Sequence, residues 1–109
     1  MSLATLFKVP ETPQEIEEFT HSNFAEHIEI NAAILRKTGK TLTPFPIQSL
    51  VDPNFWLIAH DTWHTEINAA LGTANNDLME LDLDNRDQAA NWFWLHSQEH
   101  REWRLKLGI

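Results

Sequence analysis

The chain of 109 residues contains no cysteine, no tyrosine and only three glycines. Without cysteine there can be no disulfide and no thiolate metal ligand. Its absence also fits a reducing compartment. So few glycines leave no phosphate-cradling loop, and no serine sits in a recognisable nucleophile elbow. Bases are scarce: 8 Lys and Arg stand against 16 Asp and Glu, a formal charge of −8 with neutral histidines. Phosphate repels such a surface, so neither nucleic acid nor an anionic membrane is an expected partner. No apolar run approaches membrane-spanning length. Residues 1–9 are too short and too interrupted for a secretory h-region. The expectation is one soluble, intracellular domain over residues 1–109.

What the chain does have is a repeated pattern around histidine. Copies centred on His27, His64 and His100 are spaced 37 and 36 residues apart. His27-Ile28-Glu29-Ile30-Asn31-Ala32-Ala33-Ile34 and His64-Thr65-Glu66-Ile67-Asn68-Ala69-Ala70-Leu71 agree at six of eight positions. The third copy keeps His100, Glu102 and the final apolar Leu107. A period of this length predicts an architecture of stacked units. The units are about 1–38, 39–72 and 73–109, each an extended lead-in followed by a helix.

Start and stop signals bound the helices. Thr12-Pro13-Gln14-Glu15 is a capping box with proline at the first helical position, and Gly39 ends that helix after Lys37. Asp52-Pro53 opens the second helix and Gly72 stops it. Asp84 or Asn85 caps the third, and Gly108 follows Leu107. Arg101, Arg104 and Lys106 fall in its last turns, where cations favour the helix dipole. The lead-ins, Leu6 to Val9, Thr41 to Val51 and Asp77 to Leu83, read as ordered segments lying against the helices. The fold class is therefore all-α, with a compact three-helix core.

Placing each residue at about 100° per step, with the repeat histidine at zero, sorts the shared letters. Phe19, Trp56 and Trp92 lie eight residues before the histidine, and Asn23, His60 and His96 four before. Ile30, Ile67 and Trp103 lie three after, and Ile34, Leu71 and Leu107 seven after. All five positions share a stripe roughly 80° wide. The repeated Glu29, Glu66 and Glu102 project off it, as does His21. The 14 residues from Gly39 to Asp52 can reach about 45 Å, against about 28 Å for the helix Pro53–Leu71. Each connection can thus run back along the bundle and leave all three helices parallel. Asn23, His60 and His96 then form one polar layer, and His27, His64 and His100 the next.

His60 with His64 and His96 with His100 are i,i+4 pairs, each able to grip a divalent metal from one helix face. Adding His27 gives a candidate site of up to five imidazoles, suited to Zn, Ni, Cu or Fe, with Zn or Fe favoured. The competing reading is a polar core layer in which the five histidines and Asn23 satisfy one another. His96-Ser97-Gln98-Glu99-His100 also matches the His-x-x-Glu-His pattern of inverted zinc peptidases. Here the segment is one copy of a repeat whose other copies lack that Glu, which makes a hydrolase the weakest of the readings. Glu18-x-x-His21 echoes di-iron bundles but points away from the core stripe.

One resemblance bears on function. Trp56-x-x-x-His60-x-x-x-His64-x-x-Ile67-Asn68-x-x-Leu71-Gly72, together with Trp92-x-x-x-His96-x-x-Glu99-His100 and the ending Leu107-Gly108-Ile109, resembles small His-rich helical proteins encoded in tailed-phage genomes and viral metagenomes. The resemblance covers roughly two-thirds of the chain. It implies a phage setting, in virion or host cytoplasm, and a non-enzymatic structural or adaptor role beside other virion proteins. Glu29, Glu66, Glu102, Phe45 and Ile47 are then the candidate partner contacts, and an internal three-fold repeat suits a homo-oligomer. The alternative function is a metal-binding protein with a Zn or Fe histidine cluster, structural or redox.

Overall fold

The computed structural model describes residues 9–44, 46–74 and 81–109. They form three α-helices and one short 3-10 turn, and no strand is present among the described residues. Helix α1 spans Pro13–Thr38, α2 Pro53–Leu71 and α3 Arg86–Leu107, with the 3-10 turn at Ile47–Leu50. None of the helices is long and apolar enough to cross a membrane.

Local chemistry sets the helix ends. The Glu15 amide donates to Thr12 Oγ1 at 3.1 Å, and Glu15 Oε1 accepts from the Thr12 amide at 3.2 Å. This closes the capping box and satisfies donors that the first turn leaves bare. Asp52 Oδ1 accepts from the amides of Asn54 and Phe55 at the start of α2. Asn85, the second of the two expected caps, accepts from the Gln88 amide. Gly39 ends α1 at φ 75°, a left-handed conformation that a side chain would strain. Gly72 and Gly108 close α2 and α3 at the equivalent place.

The helices run parallel. Phe19 meets Trp56 and Phe93, His27 meets His64 and His100, and Asn68 meets Trp103, in ascending order along all three. Two apolar cores result. The lower one gathers Val9, Trp56, Trp63, Trp92 and Phe93 toward the helix N-termini. The upper one gathers Ile30, Ile34, Ile67, Trp103 and Leu107 toward the C-termini. The histidines lie between them. Burying each of the large aliphatic side chains stabilises the fold by about 1.5–3 kcal/mol.

A parallel arrangement demands connections that travel back along the bundle, longer than the two to eight residues usual between bundle helices. The first connection is tied to α2 as it returns: the Trp63 indole N–H donates to the Thr43 carbonyl, and the Thr43 hydroxyl donates to Glu66 Oε1 at 2.7 Å. It is not extended throughout as the sequence suggests. Pro46, at φ −65°, leads into the 3-10 turn, and the Ser49 hydroxyl donates back to the Pro46 carbonyl at 2.6 Å. In the second connection Leu81 and Leu83 pack on the lower core. Residues 1–8, 45 and 75–80, which include Leu6 and most of the first and third lead-ins, lie outside the described residues.

Candidate metal centre

The two i,i+4 pairs place their imidazoles one turn apart on α2 and α3, and the parallel register brings the pairs face to face. His60 Nε2 lies 3.2 Å from His96 Nε2, and His64 Nε2 lies 3.3 Å from His100 Nε2. Within α2, His64 Nε2 is 3.0 Å from His60 Nε2. His27 arrives from α1, and all five histidines can present one ring nitrogen within 4.8 Å of one another. Asn23 Oδ1 sits 2.9 Å from His96 Nε2, so the expected polar layer includes it. For metal–nitrogen bonds of about 2.0–2.1 Å, tetrahedral ligand atoms stand about 3.3–3.4 Å apart. The three Nε2–Nε2 separations among His60, His64, His96 and His100 fall at or just below that distance, within a five-nitrogen set that spreads to 4.8 Å.

A second ring of polar groups holds the imidazoles. His64 Nδ1 faces Glu99 Oε1 at 3.4 Å. The same oxygen accepts from Asn68 Nδ2 at 2.5 Å. Asn68 Oδ1 in turn accepts from the Trp103 indole at 2.8 Å and the Thr73 hydroxyl at 2.6 Å. On the other side, His100 Nδ1 lies 3.0 Å from Glu26 Oε1, with Arg104 behind it at 4.0 Å. Carboxylates on the far nitrogen of a metal-binding histidine fix its tautomer and raise its basicity. Indoles complete the enclosure: His27 stacks on Trp63, His60 on Trp56 and His96 on Trp92, with interplanar angles of 14°, 15° and 8°.

Burial, reinforced by the neighbouring imidazoles, holds His27, His60, His64 and His96 well below the ordinary imidazole range. They are neutral at pH 7 and offer lone pairs. Glu26 is held below the usual carboxylate range, first by its hydrogen bond with His100 and then by the charges of His100 and Arg104, against a partial burial that opposes them.

Sequence facing found the five histidines and Asn23 but missed Glu26, Glu99 and Asn68. Glu26 and Glu99 precede their repeat histidines by one residue, about −100° around the helix. They border the stripe rather than lie in it, which was the only signal available. Glu99 of the His-x-x-Glu-His segment turns to His64 on α2. The repeated Glu residues differ from one another. Glu29 is exposed and pairs with Arg104 at 3.2 Å, Glu66 holds the returning connection through Thr43, and Glu102 is exposed. Ile47 is 71% exposed, and Phe45 lies outside the described residues. No family model, curated protein or solved structure matches the chain.

Proposed function

We propose that this is a metal-binding protein whose three helical repeats each supply histidines from matching register positions to one divalent centre, zinc or iron. One observation carries the reading. His64 and His100 turn their Nδ1 atoms to Glu99 and Glu26 at 3.4 and 3.0 Å, and their Nε2 atoms face each other at 3.3 Å. A self-satisfied polar layer can place protons between His60 and His64, and between His96 and Asn23. With the Nδ1 protons of His64 and His100 directed to the carboxylates, it leaves no proton for the contact between their Nε2 atoms inside a buried layer, which is costly. A cation between them removes the repulsion and gains both bonds.

Charge supports the same reading. Two carboxylates beside the imidazoles, the buried Glu99 at His64 and the partly exposed Glu26 at His100, balance the charge of a divalent ion. Imidazole donors without thiolate suit zinc or iron. The enclosure by four tryptophans suits a structural ion or a redox centre.

Elemental analysis of protein purified without a histidine tag tests this. About one equivalent of metal that survives dialysis is the expected result. Metal-free protein whose melting temperature is the same in zinc, iron(II) and chelator would reject the reading.

A second reading has its own observation. Ile47, Val51, Phe55 and Ile58 are exposed on the 3-10 turn and the outer face of α2. Clustered apolar exposure marks contact surfaces. It supports a structural or adaptor role, which is compatible with a metal-stabilised core. Sedimentation of wild type and Ile58→Asp protein would separate self-association from a strictly monomeric chain.

A further inference from the structure

The histidine cluster is not sealed evenly. His27, His60 and His64 have no exposed surface, while His96 and His100 retain 7% and 5%. Both belong to the wall of a groove of about 540 Å³ running between α1 and α3. The order of residues along α3 gives the groove a polarity. Phe93 lies at one end with Phe19, an edge-to-face pair 4.8 Å apart. His96 and His100 follow, then Arg101 and Arg104, and Leu105 and Ile109 carry the lining beyond them. From Phe93 to Arg101 the helix rises roughly 12 Å.

The cations are not equivalent. Arg104 is committed to Glu29 at 3.2 Å and approaches Glu26 at 4.0 Å. Arg101 is exposed and has no ion-pair partner among the described residues. In a chain of formal charge −8, an unmatched guanidinium lining a groove between apolar stretches is a local exception to a surface that repels anions. A guanidinium offers a carboxylate two parallel donors, which a cation of another shape does not. Glu26 also lines the groove, but His100 and Arg104 take up its charge.

We propose that the groove binds an elongated amphipathic monocarboxylate. Its carboxylate rests on Arg101, its apolar body lies on Phe19 and Phe93, and its middle passes the edge formed by His96 and His100. That the bound molecule passes a metal rests on the proposed metal centre; binding in the groove does not.

Octanoate is the probe, titrated into the full chain as purified and followed by amide NMR shifts. Acetate and octyltrimethylammonium are the controls. The expected result is saturable octanoate binding that shifts groove residues, weaker binding of acetate and none of the cation. Arg101→Gln should weaken octanoate by about 2- to 5-fold, the loss of a solvent-exposed ion pair, while leaving metal content unchanged. No saturable octanoate binding, equal affinity in Arg101→Gln, or equal binding of the octyl cation would each overturn the proposal. Arg101-dependent octanoate binding to protein that holds no metal would sustain the groove and reject the metal centre. Stoichiometric metal without octanoate binding would do the reverse.

Discussion

His64 and His100 hold their Nε2 atoms 3.3 Å apart across α2 and α3 while their Nδ1 atoms are each taken by a carboxylate from a different helix. Glu99 on α3 reaches across to His64, and Glu26 on α1 reaches across to His100. Both imidazole rings are therefore oriented from helices other than their own. Relative shifts of the helices would disturb ring orientation and ligand convergence together.

Glu99→Gln keeps the side-chain shape and the Asn68 contact but removes the charge behind His64. Outer carboxylates of this kind contribute about 10- to 100-fold to metal affinity. That loss is expected for Glu99→Gln and, on the more exposed side, for Glu26→Gln. Glu29→Gln, which touches only Arg104, should leave affinity unchanged. Competition against a chelating dye measures all three. Wild-type affinity in both Glu99→Gln and Glu26→Gln would remove the carboxylates from the centre.

Ligand substitutions should divide the six histidines cleanly. His64→Ala and His100→Ala each remove a nitrogen from the cross-helix pair whose Nε2 atoms stand 3.3 Å apart, so bound metal should fall below half an equivalent after dialysis. His21 is exposed on α1, and His21→Ala should retain the full complement. Metal analysis of the three variants checks this. Equal metal in all three would place the ion elsewhere.

Acid should unfold the protein through the same residues. The folded-state pKa values of His27, His60, His64 and His96 lie well below 6.5. Above about pH 6.5 the imidazoles are neutral in both states, and their contribution is fully present. As pH falls below that value the unfolded chain takes up protons that the folded chain refuses, and stability drops toward the depressed pKa values. Bound metal sharpens the loss because protons compete for the same nitrogens. Urea unfolding in the presence of chelator should show a falling midpoint from pH 7 to pH 5. A flat midpoint would mean that the histidines are not buried neutral.

The upper core gives a stability contrast within α2. Ile67 has no exposed surface, and Ile67→Ala should cost about 2–5 kcal/mol through lost burial and a residual cavity. Ile58 is 61% exposed on the opposite face, and Ile58→Ala should stay within about 0.5 kcal/mol. Denaturant unfolding with an unchanged m-value checks both.

Most of this arrangement is legible in the chain because a helix repeats its chemistry at a fixed angle. Thr12, Asp52 and Asn85 mark helix starts, and the stripe from Trp56 to Leu71 places His60 and His64 inward. The lengths of the connections allow the parallel register that brings His60 to His96. Residues at the stripe's borders were not legible, because their direction depends on which neighbour they meet. Glu26 and Glu99 are drawn inward by His100 and His64 on other helices. Trp63, at the equivalent position of the second repeat, instead stacks on His27 and donates to Thr43. The repeated Glu66 was equally opaque: its partner Thr43 lies 23 residues earlier, on a connection whose path no local pattern gives.

The tryptophans provide the sharpest optical test of the centre. Trp56 and Trp63 stack on His60 and His27 at 4.4 and 4.6 Å, and Trp92 stacks on His96 at 5.2 Å. Trp103 approaches His64 at 4.5 Å. Trp94 is 41% exposed and makes no ring contact with a histidine among the described residues, so it serves as an internal reference. Cobalt(II) and copper(II) have open d shells that quench nearby indoles, whereas zinc has a filled shell and does not. One equivalent of cobalt(II) should therefore quench most of the emission, leaving a red-shifted remainder from Trp94. Zinc added first should block the quenching. In Trp94→Phe the remainder should vanish while the stoichiometry of quenching stays the same. Quenching that falls mainly on the Trp94 component, or that needs many equivalents, would place the ion on the acidic surface instead of among the histidines.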